Sequence, residues 1–183
     1  MDGSIRIPKF SDEAFSAFNG SQVVVTPELV LFWKPPHPFG QWTESPFEID
    51  GVTYNCAEQY MMAEKARLFN DKDIESKILE TSSPRQQKKL GKQVSGFNTS
   101  KWVSERCNIV FRGNVAKFRQ NPELGQILLE TGDRRLAEAS PLDKIWGISF
   151  AAEHPHAYDE MKWKGLNFLG NVFEDVRTHL RAG

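Results

Sequence analysis

Cysteine is scarce in this chain. Of 183 residues only Cys56 and Cys107 are cysteines, in no CxxC or other ligand-like spacing. Neither a disulfide framework nor a zinc site is suggested, and the simple inference is a reducing compartment, the cytoplasm with the nucleus also open. Net charge is missing as well: 23 Lys and Arg against 24 Asp and Glu leave −1. Nothing overall demands a nucleic-acid partner, though a local basic patch is allowed. No apolar run reaches the roughly 20 residues of a membrane span, and Asp12 and Glu13 interrupt any signal-peptide core within residues 1–20. GxGxxG, Walker and nucleophile-elbow patterns are absent, as is βαβ alternation, which argues against a Rossmann sheet, a P-loop and an α/β-hydrolase.

What is present is apolar and aromatic material for a sizeable core: 39% hydrophobic residues, with thirteen Phe and five Trp. At this length one domain is expected. We read residues 1–27 as an N-terminal extension that docks by Phe10, Phe15 and Phe18, and 28–183 as the domain. Val23–Val25 and Val30–Trp33 have strand character. Lys34–Pro46, KPPHPFGQWTESP, carries four prolines and a glycine, which exclude helix and regular strand. It reads as an ordered loop anchored by Phe39 and Trp42. Phe47–Tyr54 is a hairpin with Asp50-Gly51 as its turn. Helices follow at 55–69, 72–80, from Ser83-Pro84 with Gln87 in a capping-box role, 100–120, from Asn121-Pro122, and from about Leu166. Leu136–Ala139 and Asp143–Phe150 are extended candidates. The sum is α+β: a single compact, mostly helical domain with a few short strands.

The helix at NCAEQYMMAEKARLF, 55–69, is the chemically unusual element. Asn55 reads as its N-cap and Glu58 as the capping-box acid. At 100° per residue, Met61, Met62, Lys65, Leu68 and Phe69 share a side with Glu58, so two charges sit in an apolar stripe. Burying an unpaired charge costs several kcal/mol. Glu58 and Lys65 lie about 10 Å apart along the axis, far enough to flank a ligand about one sugar wide. The bland alternatives are a Glu58 occupied by backbone amides and a Lys65 that snorkels to water. A cationic face of Arg85, Lys88, Lys89 and Lys92 is either solvated or a phosphate or nucleic-acid contact. His154 and His156 lack a third ligand at metal-site spacing.

Several strings together resemble one family. These are F-x5-PFGQW from Phe32, SPFEIDGVTYNCAEQYMMAEKA, Trp102, AKFRQNPELGQILLETGDRRLAEASPLDKIWGIS and WKGLNFLG. In order and spacing, from about Leu31 to Leu180, they are similar to the NADAR family, the YbiA-like N-glycosidases. The resemblance implies a helix-dominated mixed fold and metal- and cofactor-free hydrolysis of an N-glycosidic bond between a base-like amine and ribose 5-phosphate or ADP-ribose. ADP-ribose on guanine is the foremost substrate it implies, with riboflavin-pathway ribosylamine phosphates as the alternative and ADP-ribosylated nucleic acid as a potential partner. A non-catalytic ADP-ribose reader is the rival class. Glu58 matches the catalytic glutamate. Trp102, Asp143 and Trp146 match other active-site positions, and Lys65, Gly147, Asn167 and Gly170 also match. Phe32, Trp33, Lys34, Phe39, Gly40, Gln41 and Trp42 fall where substrate contacts are expected. Many members have Phe-Ser-Asn-Phe where this chain has Phe39-Gly40-Gln41-Trp42, so its loop amide is one methylene longer.

Chemically, such cleavage needs a proton for the leaving amine and stabilisation of charge at C1. An apolar-set Glu58 suits the first task. Lys65 or Lys144 could instead capture a ring-opened sugar as a Schiff base, and sequence does not choose between them. Trp102 and Trp146 either stack on the substrate or pack the core. Asp143 either holds ribose hydroxyls and orients the amine or caps a turn. Asn167 and the helix start at Gly165-Leu166 could meet a phosphate.

Overall fold

The computed structural model describes residues 22–183, so Phe10, Phe15 and Phe18 lie outside the described residues. The part of the expected extension that is described opens as a strand. β1 (Gln22–Val25) and β2 (Leu29–Trp33) pair antiparallel around Thr26-Pro27-Glu28, where Thr26 Oγ1 accepts the Leu29 N–H at 3.0 Å. β2 also pairs in parallel with β5 (Arg135–Glu138), in a register that sets Phe32 opposite Glu138. Parallel strands need a long crossover, and residues 34–134 supply it. That segment holds the hairpin β3 (Phe47–Ile49) and β4 (Val52–Tyr54) and the helices α1 (Ala57–Leu68), α2 (Lys72–Glu80), α3 (Pro84–Gly91), α4 (Thr99–Gln120) and α5 (Pro122–Glu130). After β5 a long loop leads to α6 (Phe168–Arg181), which packs on α4 and β5. The architecture is α+β and mostly helical. Because β2 and β5 are parallel, Trp33 and Glu138 emerge at the same end of the sheet.

α1 is the central helix, packed against α2, α3 and α4. Its apolar stripe is not its only buried side: Gln59, Tyr60 and Ala63 on the opposite face are buried too. Tyr60 rests against Phe47 and Tyr54, and its ring occupies the space beside Gly113 of α4, where a Cβ would come within 2.4 Å. The expected cap also differs. Cys56 is the N-cap and makes no side-chain cap bond. Asn55 instead donates to Ser82 O at 2.6 Å and accepts from Gln87 Nε2 at 3.0 Å, while Gln59 Oε1 takes the Asn55 N–H at 2.7 Å. Gln87 is therefore a buried cross-link and not a capping-box residue. These amides tie the segment before the helix to its neighbours, and the Glu58 side chain has no capping role.

A cluster of aromatic rings closes the core beneath the sheet. Phe32, Phe39, Phe118 and Phe173 are each no more than 1% exposed and contact one another at 5.4–6.1 Å. Burying each contributes about 1.5–3 kcal/mol. Asp143–Phe150 is not a strand. Asp143 Oδ1 accepts the Ile145 and Trp146 N–H groups at 2.9 and 2.8 Å, which curls the chain into a turn, and Ser149 adopts φ 61°. α6 begins two residues later than expected, because Asn167 is held in the left-handed region at φ 50° before it.

Candidate functional site

Three segments meet at the carboxyl ends of β2 and β5, where parallel strands commonly hold ligands. The Lys34–Pro46 loop leaves β2 through Lys34 at φ 64°. It is pinned from below by α4: Lys117, fully buried, donates from Nζ to Pro38 O at 2.6 Å and Gly40 O at 3.2 Å, and Asn114 Oδ1 accepts from Gln41 Nε2 at 3.2 Å. Burial drives the Lys117 ammonium down to about 7, and burial together with the Lys117 charge drives His37 down to about 3. Gln41 O accepts the Glu58 N–H at 2.9 Å, which fixes the loop to the first turn of α1.

Between these segments lies a cavity of about 620 Å³, within the usual size range for small-molecule sites. Trp42, Trp102 and Trp146 stand in its walls, Glu58, Glu138 and Asp143 reach it, and Lys34, Lys65, Lys88 and Lys92 border it. Trp146 is backed by Phe168 at 6.4 Å and by the buried Arg106 guanidinium at 6.0 Å. Lys34 Nζ lies 3.7 Å over the Trp33 ring.

Glu58 is 2% exposed, and its Oε1 has no hydrogen-bond partner among the described residues. Burial raises its pKa to about 7; the Lys88 charge and a hydrogen bond from the Trp42 side chain oppose that rise, and the Asp143 charge adds to it. Glu138 behaves alike. Burial, then the Asp143 charge, lift it to about 8 against the pull of Lys88, with Glu58 adding a little, and its Oε2 also lacks a partner. Two acids in one cavity thus hold protons near neutrality, the environment a proton donor requires.

Glu138 is absent from the sequence-derived set of site residues. The signal was present: on a strand of period two, Glu138 shares the face of Leu136, which is 0% exposed, the same anomaly that marks Glu58 on its helix. Lys88 and Lys92 were visible only as part of a cationic face.

Of the residues picked out from sequence, Glu58, Lys65, Asp143, Trp33, Lys34, Gly40, Gln41, Trp42, Trp102 and Trp146 line the cavity. Lys65 donates to Gly91 O at 2.7 Å with Phe97 and Trp102 rings nearby, and burial followed by the Lys92 charge lowers its pKa. Lys144 is exposed and lines no part of the cavity. Phe32 and Phe39 belong to the core cluster below. Gly147, Asn167 and Gly170 lie behind the site, where they set the position of β5. A Cβ on Gly147 would stand 2.9 Å from Glu138 O, and one on Gly170 would meet Leu136 O. Asn167 is buried and its amide is spent on the β5 backbone, so it is not placed to meet a phosphate. Cys56 is buried, and that burial raises its thiol pKa. Among the described residues no group of three His, Cys, Asp or Glu could hold a metal ion, and no helix is long and apolar enough to cross a membrane.

Residues 31–181 match the NADAR domain. The chain belongs to the NADAR family. N-glycosidase R617 of Acanthamoeba polyphaga mimivirus is 44% identical over 146 residues, 77% of this chain and 86% of that protein. Protein irg-1 of Caenorhabditis elegans is 34% identical over 171 residues, 85% of this chain and 81% of that protein. The NMR structure of Escherichia coli YbiA, a protein named as an N-glycosidase, aligns with a TM-score of 0.71 at 26% identity, covering 88% of this NADAR chain and 89% of that one.

Proposed function

We propose that this chain is an N-glycosidase that hydrolyses the bond between a ribosyl C1 and the nitrogen of a base, with ADP-ribose attached to guanine as its substrate. One observation carries the reading: a carboxylate 2% exposed, with an oxygen left without a partner, lies in a tryptophan-walled cavity bordered by lysines. The names of the NADAR relatives support the reaction class.

In this reading the indole walls sandwich the base, and Lys88 and Lys92 neutralise the phosphates. Protonated Glu58 gives its proton to the leaving nitrogen as the C1–N bond breaks. The resulting carboxylate then takes a proton from the water whose oxygen bonds to C1, returning the acid. Glu138 sits beside it as a second protonated carboxyl that donates a hydrogen bond to the substrate or the water. Asp143, with Oδ1 committed to its turn, turns its remaining oxygen to ribose hydroxyls. Lys65 is the lysine available for a ring-opened sugar.

The test is mass spectrometry of the purified protein incubated with ADP-ribosylated guanosine and, separately, with a riboflavin-pathway ribosylamine phosphate. Release of guanosine and ADP-ribose supports the reading. Cleavage of the second compound alone moves the substrate class, and tight ADP-ribose binding without turnover of either makes the protein a reader.

A further inference from the structure

Lys117 of α4 is 0% exposed and forms no ion pair with an Asp or Glu among the described residues. The titratable groups that interact with its charge are His37, in the Lys34–Pro46 loop, and Cys56, at the N-cap of α1. Burying an unbalanced ammonium is costly, and an apolar side chain of similar volume would fill the same space without that cost. What the ammonium does instead is hold two carbonyls of a distant segment, Pro38 O at 2.6 Å and Gly40 O at 3.2 Å. Around those carbonyls the loop is tightly wound. Gly40 N–H donates to His37 O at 2.9 Å, Thr43 N–H to Gly40 O at 3.2 Å and Thr43 Oγ1 to His37 O at 2.6 Å. A Cβ on Gly40 would stand 2.6 Å from Thr43 Oγ1. The next two residues make the loop's contacts with the buried acid: Gln41 O accepts the Glu58 N–H at 2.9 Å, and the Trp42 side chain hydrogen-bonds the Glu58 carboxyl.

We infer that Lys117 is a positioning residue for the reaction: by holding Pro38 O and Gly40 O from beneath, it keeps the Trp42 indole N–H on the Glu58 carboxyl. It rests on the N-glycosidase reading for the role of Glu58. Lys117 lies outside the cavity lining and touches no substrate. Its action runs through the loop and not through space. The charges that act on Glu58 are those of Lys88 and Asp143, and Glu138 is the other acid it faces. Without the ammonium the loop loses two charge-assisted bonds and Trp42 leaves its seat. The Glu58 carboxylate then lacks a hydrogen bond that favours it, so the acid ionises at higher pH.

The experiment is a double-mutant cycle on Lys117→Met and Trp42→Phe, read in the pH dependence of kcat/KM on ADP-ribosylated guanosine and in hydrogen exchange of residues 34–46. Exchange of a buried charge for an apolar side chain is often neutral or stabilising, so Lys117→Met is expected to fold; Lys117→Gln, which keeps a neutral donor, is measured beside it. The alkaline limb should move to higher pH in Lys117→Met as it does in Trp42→Phe, and no further in the double variant. Amides of the loop should exchange about 10–100-fold faster in Lys117→Met, the loss of a hydrogen bond from a charged group, while those of the β3–β4 hairpin stay unchanged. A limb that stays in place in Lys117→Met overturns the inference. So do shifts that add in the double variant, which mean that the charge acts directly on the acid. If the parent leaves the compound intact, the N-glycosidase reading fails on its own and exchange decides: acceleration confined to the loop keeps the positioning role, and unchanged exchange overturns it. Loss of the fold in both Lys117 variants makes Lys117 a core residue and overturns it as well.

Discussion

Asn167 grips β5 with both ends of its amide: Oδ1 accepts the Glu138 N–H at 3.1 Å and Nδ2 donates to Leu136 O at 2.9 Å. A side chain from the turn before α6 thus takes the place of a neighbouring strand on the open edge of β5, and the residue it orients is the second acid of the cavity. Replacing Asn167 by Ala leaves two backbone groups without partners and keeps a β-carbon at φ 50° with no polar side chain to offset that conformation. A loss of roughly 2–4 kcal/mol is expected in urea denaturation. Asn167→Gly should recover about 1 kcal/mol of it by relieving the left-handed strain, while turnover stays low because Glu138 is still unheld.

Glu58→Gln should keep substrate binding and lose turnover by about 10²–10⁴-fold. The same change should stabilise the protein at alkaline pH. The folded-state pKa of Glu58 is raised, from 4.5 to about 7, so below pH 4.5 the acid is protonated in both states and costs nothing. As pH rises from 4.5 to 7 the unfolded chain ionises first, and the folded state loses ground by an amount on the order of 3 kcal/mol. Equal stabilities are expected for parent and variant at pH 4, and a higher melting temperature for the variant at pH 8. A variant less stable than the parent at pH 8 would mean that the carboxylate is satisfied in the fold.

If Glu58 donates the proton, kcat/KM falls on the alkaline side as it ionises. Trp42→Phe retains an aromatic ring but removes the hydrogen bond that favours the carboxylate, so that limb should move to higher pH. Asp143→Asn removes a neighbouring negative charge and should move it lower. Limb positions are read separately from absolute rates, and two limbs moving in the same direction would exclude Glu58 as the titrating group.

Borohydride added during turnover should trap any Schiff base on Lys65, which faces the cavity, and not on the exposed Lys144. Peptide mapping identifies the residue. Lys65→Met should abolish the adduct, whereas an adduct that survives in Lys65→Met places the nucleophile elsewhere. Full turnover without an adduct in the parent leaves direct attack by water.

Gly170→Ala should be far more damaging than Gly51→Ala. At Gly170 the added methyl collides with Leu136 O and stands 2.5 Å from Asn167 Nδ2, so α6 must move off β5; at Gly51 nothing lies within 4 Å and only the positive φ objects. Losses of several kcal/mol and about 1–2 kcal/mol are expected in parallel denaturations.

The helix starts at Ser83-Pro84 and Asn121-Pro122 and the Asp50-Gly51 hairpin were legible because local rules govern them: proline at the first turn and positive φ in a tight turn. Leu136–Ala139 was legible as a strand from its alternation. The curl at Asp143 was not, because Ile-Trp-Gly-Ile-Ser-Phe has strand composition, and what turns it is the Asp143 carboxylate together with backbone bonds to residues 164–169 that are distant in its local pattern. The resemblance grouped Gly147, Asn167 and Gly170 with the site, but motif positions do not say whether a residue touches a ligand or holds one that does.

Sequence alone marked Glu58 as a carboxylate out of place, since helical period and the cost of burying charge follow from residue order. It could not say what stands across from it. That Glu138 shares the cavity, with Lys88 at its border, follows from the parallel pairing of β2 with β5 across a hundred-residue crossover. Such pairing is chosen by the burial of the whole core, and no local pattern encodes it.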